Sequence, residues 1–447
     1  MKSKHLISLL LSVIITLLCF PMQIAYSADS EEEITIWNGT ADTSWYDADE
    51  KEVHIHTAEQ LAGIFAHPTE GMTFYLEKDI NLNSNSSPKK NVWKNGNMDG
   101  VFYGQNHKIY GLYGKSLFNT IGENGIVQDL YITAVDTPQS ILSLIIKGIA
   151  QHCIVDGNIT LETKPYYKNR RWYLENVYLG GICNKIIDGK IKYCQNNAGI
   201  SLTVDMLNAS NFNPNLDTSP VNYSPAYSVG GICGSSDNGF ISNCSNYGNF
   251  SLTVMINPPE IGRKAVTPLS YCSAIGTVYS GIIQNCYNYT AETPLTESYE
   301  YKYVTIRNCY NVGGTITKSV ITPQNLTCMN CYYQSGIDKS GETPPANVKE
   351  KNKENMQKPD FATNLGLAFA YVENDYPKLA WELGIIYGDI NSDGTADIAD
   401  VVLLQKALLT ETELDSKVAE LADLDFNGII NAVDLTLLKR MIIDELL

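Results

Sequence analysis

The chain has 447 residues, 44% of them hydrophobic and 18% charged, with 32 Lys+Arg against 49 Asp+Glu and a formal net charge of −17. That length allows two or three domains. The acidity argues against binding nucleic acid or anionic membrane surfaces.

Lys2 and Lys4 precede the apolar run "LISLLLSVIITLLCF" (6–20), and "AYS" (25–27) puts small residues at the cleavage positions. Residues 1–27 are therefore expected to be a signal peptide, cut after Ser27. Cys19 lacks the preceding small residue of a lipoprotein box, and no later run is long and apolar enough for a membrane span. The mature protein is expected to be secreted and soluble, with ten of its 11 cysteines retained.

"HTAEQLAGIFA" (56–66) has Thr57 followed three residues later by Gln60, a capping box that predicts a helix closing one end of the next domain. "TFYLEKDINLN" (73–83) reads as one strand. "GVFYGQNHKIYGLYGKSLFNTIGENGIVQDLYI" (100–132) resembles the opening of bacterial GLUG-type repeat proteins. Gly100, Phe102, Gly104, His107, Ile109, Gly111 and Leu112 carry the match, with Tyr103 for a usual Asp and Asn106 for a usual Gly. Asn tolerates the left-handed backbone that such a Gly implies. His107 reads as a packed structural residue.

The middle of the chain repeats. "YLGGICNKIIDGKIKYCQNNAGISLTV" (178–204) and "SVGGICGSSDNGFISNCSNYGNFSLTV" (228–254) share GGIC, a second Cys and SLTV at an offset of 50, and weaker copies flank them. The second Cys of each unit gives the series Cys153, Cys194, Cys244, Cys286, Cys309 and Cys331. Ile191 and Cys194, and Ile241 and Cys244, are three apart, so a straight strand cannot point both inward. A corner is expected between them. Corners recurring about every 22 residues fit stacked turns of a coil with equivalent residues in columns. The cysteines then form a buried column of small hydrophobes, and free thiols fit it better than disulfides. The Asn before most of these cysteines is expected to cap the corner or form an amide ladder.

Insertions fall between an SLTV-like strand and the next GGIC-like strand, at 163–177, 205–227, 255–270 and 291–302, and so should line one edge. The first contains "KPYYKNRRWY" (164–173), where Tyr167, Arg170, Arg171 and Trp172 are candidate ligand-binding residues. Rings can stack on sugars and guanidinium groups can pair with uronates. The alternative is a loop that folds back over the coil. Neither the acidic cluster with an Arg base of pectate lyases nor the grouped Asp and His of polygalacturonases is visible. "MQKPDFATNLG" (356–366) and "DYPKLAWE" (375–382) resemble the helix-and-strand close of the same coil families, and Trp381–Tyr387 reads as a strand and a join.

The last sixty residues differ in kind, with thirteen Asp/Glu against four Lys/Arg. In "GDINSDGTADIAD" (388–400), Asp389, Asn391, Asp393, Thr395, Asp397 and Asp400 occupy loop positions one, three, five, seven, nine and twelve, with Gly394 at six. Asp423, Asp425, Asn427, Ile429, Asn431 and Asp434 repeat this 34 residues later, with Gly428 at six. Alternating oxygen donors around a Gly turn suit Ca²⁺, and position seven donates only its carbonyl. Both copies carry Asp at twelve, where an EF-hand has Glu. Each loop leads into an apolar helix (401–409 and 435–443), so the segment reads as loop-then-helix twice.

These residues resemble a type I dockerin. The resemblance implies two Ca²⁺ ions and a scaffoldin cohesin as partner. It also implies contacts through Ile398, Ala399, Gln405 and Lys406 in one copy and Ala432, Val433, Lys439 and Arg440 in the other, available in two orientations. The expected fold is an all-β right-handed parallel β-helix (a solenoid) over 28–387 with small helical caps, followed by a small all-α calcium-binding module over 388–447. The expected function is a secreted, extracellular or cell-surface subunit of a cellulosome-type complex. Its β-helix would bind plant-cell-wall polysaccharide or another surface without catalysis. The alternatives are a polysaccharide lyase or glycoside hydrolase, and a structural spacer or protein-binding adhesin.

Overall fold

A computed structural model describes residues 35–47, 49–83, 90–164, 166–168, 171–173, 175–205, 226–255, 269–289, 292–298, 302–319, 325–336, 345–409 and 414–446. The signal segment 1–27, Arg170 and most of the inserted stretches lie outside them.

From Glu52 to Lys351 the chain winds through parallel strands that pair turn upon turn. Twenty strands join in one sheet, eight in a second and three in a third, giving a nearly closed, solenoid-like array. The offset of 50 is the real register: Cys183 pairs with Cys233, Ile191 with Ile241 and Leu202 with Leu252. Later turns are shorter, with Tyr287 beside Tyr310 and Tyr310 beside Tyr332. The expected corner is present. Ile191 and Cys194 are both fully buried, and Tyr193 between them has φ 53°. His152, Asn243, Asn285, Asn308 and Asn330 occupy the same corner with φ of 47–53°. Asn reaches this backbone region more readily than most residues, which explains its recurrence.

Two amide ladders run along the coil. At the corner, Asn285 Nδ2 donates to Asn243 Oδ1 at 3.0 Å, Asn308 to Asn285 at 3.2 Å and Asn330 to Asn308 at 3.0 Å. The second lies inside the coil, two residues after each Cys. Asn196 donates to Asn246 at 2.8 Å, Asn246 to Asn288 at 3.0 Å and Asn288 to Asn311 at 2.8 Å, all fully buried. The GGIC glycines make room for it. A Cβ on Gly181 would stand 2.2 Å from Asn196 Oδ1, and one on Gly231 2.3 Å from Asn246 Oδ1. The ten described cysteines are free thiols, nine of them buried. Burial pushes the Cys183 and Cys233 thiols well above their ordinary value, so they serve as packing groups.

The N-terminal helix Ala58–Gly63 carries the expected capping box and extends as a 3-10 turn to Ala66. Ala58, Leu61 and Ile64 join the main core. Asn106 has φ 62°, as its place in the motif requires. His107 is half-buried, with Nδ1 3.3 Å from Asp79 Oδ1. The stretch 73–83 is two strands, Thr73–Leu76 and Ile80–Asn81, rather than one. The chain breaks between them at Asp79, whose carboxylate accepts from Lys108 N and Tyr110 OH of the next turn.

The C-terminal close is more than a plug. Helix Pro359–Leu365 starts on Pro359, and the chain then runs back along the coil's flank. Tyr376 OH donates to Gln334 and Tyr310 OH to the Pro377 carbonyl, while Trp381 Nε1 donates to Asn243 O at 3.0 Å. This strap covers the column Tyr287, Tyr310 and Tyr332. Residues 381–387 are not a strand: Ala380–Leu383 is a 3-10 turn ended by Gly384 at φ 68°.

Candidate functional site

The two acidic loops share one pattern of backbone hydrogen bonds. In the first, Asp389 Oδ1 accepts from Asp393 N at 3.1 Å and Oδ2 from Gly394 N at 3.0 Å. In the second, Asp423 accepts from Asn427 N at 3.1 Å and Gly428 N at 2.8 Å. Gly394 and Gly428 have φ of 93° and 79°, so position six needs its glycine. Asn391 Nδ2 donates to Asp393 Oδ2 at 2.7 Å, and Asn427 Nδ2 to Asp425 Oδ2 at 2.8 Å. Hydrogen bonds from Thr395 and Asn391 hold the Asp393 carboxyl below its usual range. Thr395 N and Oγ1 both reach Asp393 Oδ1, while the Ile429 carbonyl accepts from Asn431 Nδ2 at 3.0 Å.

Position twelve explains its own residue type. Asp400 and Asp434 are fully buried. Asp400 Oδ1 accepts from Ile390 N and Asn391 N, and Oδ2 from Asp397 N at 2.8 Å. Asp434 does the same with Leu424 N, Asp425 N and Asn431 N. Each aspartate ties both ends of its loop together while capping the helix that follows, a span that suits the short side chain. Asp397 caps that first helix through Ala399 N at 2.7 Å, and Asn431 meets Val433 N likewise. Asp423, Asp425 and Asp434 bring three carboxylate oxygens within 4.8 Å of one another, a group able to hold a metal ion.

The helices sort their residues by face. In Ile398–Leu408, Val401 and Leu404 pack inward, and in Ala432–Leu446 Leu438 does, around Ile390, Ala422 and Leu424. The eight partner residues inferred from sequence all point outward. Ile398 is 68% and Val433 51% exposed, and Ala399, Gln405, Lys406, Ala432, Lys439 and Arg440 are exposed as well. Sequence reasoning missed Val402, 47% exposed one turn beyond Ile398. The signal was there in an apolar residue off the inward stripe. It also missed helix Ser416–Ala422, capped by Asp415 through Lys417 N and Val418 N. The second loop therefore has an entering helix, and the loop-then-helix description holds only for the first.

The aromatic and basic insertion is an antiparallel pair, with Tyr167 opposite Trp172 and Lys168 opposite Arg171 in backbone register. Arg170 lies outside the described residues. Among the described residues no helix is long and apolar enough to cross a membrane.

No curated protein matches the chain. Two solved structures resemble it. One is a Bacteroides ovatus protein provisionally assigned as an immunoglobulin A1 protease. It is 16% identical, covering 73% of this chain and 92% of that one, with a TM-score of 0.38. The other is an IgA1 protease, 14% identical, covering 69% of this chain and 24% of that one, with a TM-score of 0.41. Residues 387–443 match the family model of the dockerin type I domain, so the paired acidic loops and their helices are a dockerin type I domain.

Proposed function

We propose that the protein is a secreted subunit of a cellulosome-type assembly. The dockerin match implies an extracellular protein that binds calcium and docks on a cohesin. In the finer reading, 1–27 is a signal peptide, 28–387 a right-handed β-helix of GLUG type and 388–447 the docking module. The β-helix meets plant-cell-wall polysaccharide without catalysis, and Tyr167, Arg170, Arg171 and Trp172 contribute to that contact.

The loops suit two Ca²⁺ ions because their donors are hard oxygens. Asp389, Asn391, Asp393, Asp397 and Asp400 with the Thr395 carbonyl would hold one. Asp423, Asp425, Asn427, Asn431 and Asp434 with the Ile429 carbonyl would hold the other. Each ion would supply the positive charge that offsets repulsion among clustered carboxylates. The chain's own part is to pre-form the loops through backbone donors and to aim the helices outward.

The observation that carries docking is an exposed apolar residue at the loop–helix junction of each copy, Ile398 at loop position ten and Val433 at loop position eleven. The test is binding of the full chain to a panel of type I cohesins, with Ca²⁺ and with EDTA. Ile398→Asp/Lys406→Glu and Val433→Asp/Lys439→Glu should each weaken binding modestly, and together abolish it. Complete loss in either single-copy variant would refute two alternative orientations, and EDTA-insensitive binding would refute the calcium role.

A further inference from the structure

The coil carries a second feature, lined by residues of neither the insertion nor the docking module. Side chains at equivalent places on successive turns bound an open-sided groove of about 890 Å³. That is the size of a small-ligand site. Tyr303 stands in its wall with 79% of its surface exposed, whereas Tyr287 and Tyr310 on neighbouring strands are fully buried under the strap. Ile282 and Thr305 are neighbours in register on adjacent turns and make a half-buried floor. Polar groups at the rim are held in place. Asn238 Nδ2 donates to Asp188 Oδ1 at 2.7 Å, Ser280 Oγ donates to Asp237 Oδ1 at 2.7 Å, and Asn238 N donates to Ser280 Oγ at 2.7 Å.

We propose that this groove is a glycan-binding site for a neutral, hydroxyl-rich polysaccharide chain. It rests on the reading above that the solenoid meets polysaccharide, and adds a separate place and ligand class. An exposed phenol beside an aliphatic patch offers ring faces a stacking surface, and fixed amide and hydroxyl groups recognise sugar hydroxyls. Adjacent turns lie about 4.8 Å apart, close to the length of one hexose unit, so a chain lying across the strands presents one sugar to each turn. Charge selects against acidic ligands. Asp188 and Asp237 back the rim, and Lys302 is the cation of the lining.

The experiment is isothermal titration of the full mature chain in Ca²⁺ with cellohexaose, xylohexaose and hexagalacturonate. The wild type is compared with Tyr303→Ala and Tyr303→Phe. Tyr303 is exposed, so its variants should fold. Binding of a neutral hexasaccharide is expected, weakened about tenfold by Tyr303→Ala, an effect worth about 1.4 kcal/mol. Tyr303→Phe should leave it unchanged. Neutral binding that survives Tyr303→Ala would overturn the groove and leave the polysaccharide reading standing. Binding of hexagalacturonate alone would overturn the neutral assignment. Failure to bind any of the three would overturn both readings.

Discussion

The solenoid and the C-terminal segment are held together in opposite ways. In the solenoid, parallel strand partners lie 17 to 50 residues apart and the buried polar groups are mostly uncharged amides, hydroxyls and thiols, with Glu297 a buried carboxylate among them. In the C-terminal segment, the loop contacts close within a dozen residues and the buried polar groups are carboxylates, Asp389, Asp400 and Asp434. One region ties its buried amides to one another, while the other concentrates negative charge that a bound cation would offset. The first should ignore ions and redox conditions, and the second should follow Ca²⁺.

The largest effect should come from the loops. Asp389→Ala with Asp423→Ala removes position one twice, and 388–447 should lose its helical circular dichroism while the β signal persists. Saturation at 100 times the dissociation constant adds about 2.7 kcal/mol per site, enough to decide whether so small a module folds. Helicity unchanged by the substitutions or by EDTA would erase the contrast.

The solenoid's own weak point should be its inner amide ladder. Asn246→Ala removes the Nδ2 donor to Asn288 Oδ1 and one of the two acceptors of Asn196 Nδ2. A loss of about 2–4 kcal/mol is expected from breaking two hydrogen bonds among fully buried groups. Urea unfolding in Ca²⁺ measures it, and a loss under 1 kcal/mol would mean the ladder is not what keeps adjacent turns in register.

A smaller, pH-dependent effect should appear at the strap. Glu382 accepts from Ser245 Oγ at 2.5 Å and Tyr287 OH at 2.6 Å, and burial raises its carboxyl above the free value of 4.5. A raised acid favours the folded state when protonated. Strap docking should therefore be fullest below the free value and weaken as pH rises through the raised one. Hydrogen exchange of the Trp381 region across pH 4–8 reads this, and Glu382→Gln should flatten the profile. The smallest effect is none at all: dithiothreitol should leave the solenoid's melting temperature unchanged, because its described cysteines are free.

Much of this contrast is legible in the sequence because it is periodic. The 50-residue offset, the corner before each Cys, the capping box at Thr57 and the 34-residue offset between loops all follow from spacing. The inner ladder escaped notice although "CQN", "CSN" and "CYN" spell it out, because alternation does not tell a buried Asn from a surface one. Helix 416–422 has little apolar periodicity and stands on its Asp415 cap and the burial of Ala422. The strap was invisible for a different reason. Its partners lie 42 to 138 residues away, and nothing local distinguishes Glu382 from a surface glutamate.

The strap also bears on what happens under tension. If docked through its C-terminal module and bound to polysaccharide through its solenoid, as proposed above, the chain would be pulled from both ends. The strap lies between the two attachments, fastened to successive turns at Gln334, Tyr310, Tyr287, Ser245 and Asn243. Load entering near residue 384 is shared by those bonds in shear, so several must fail together before any turn can peel away.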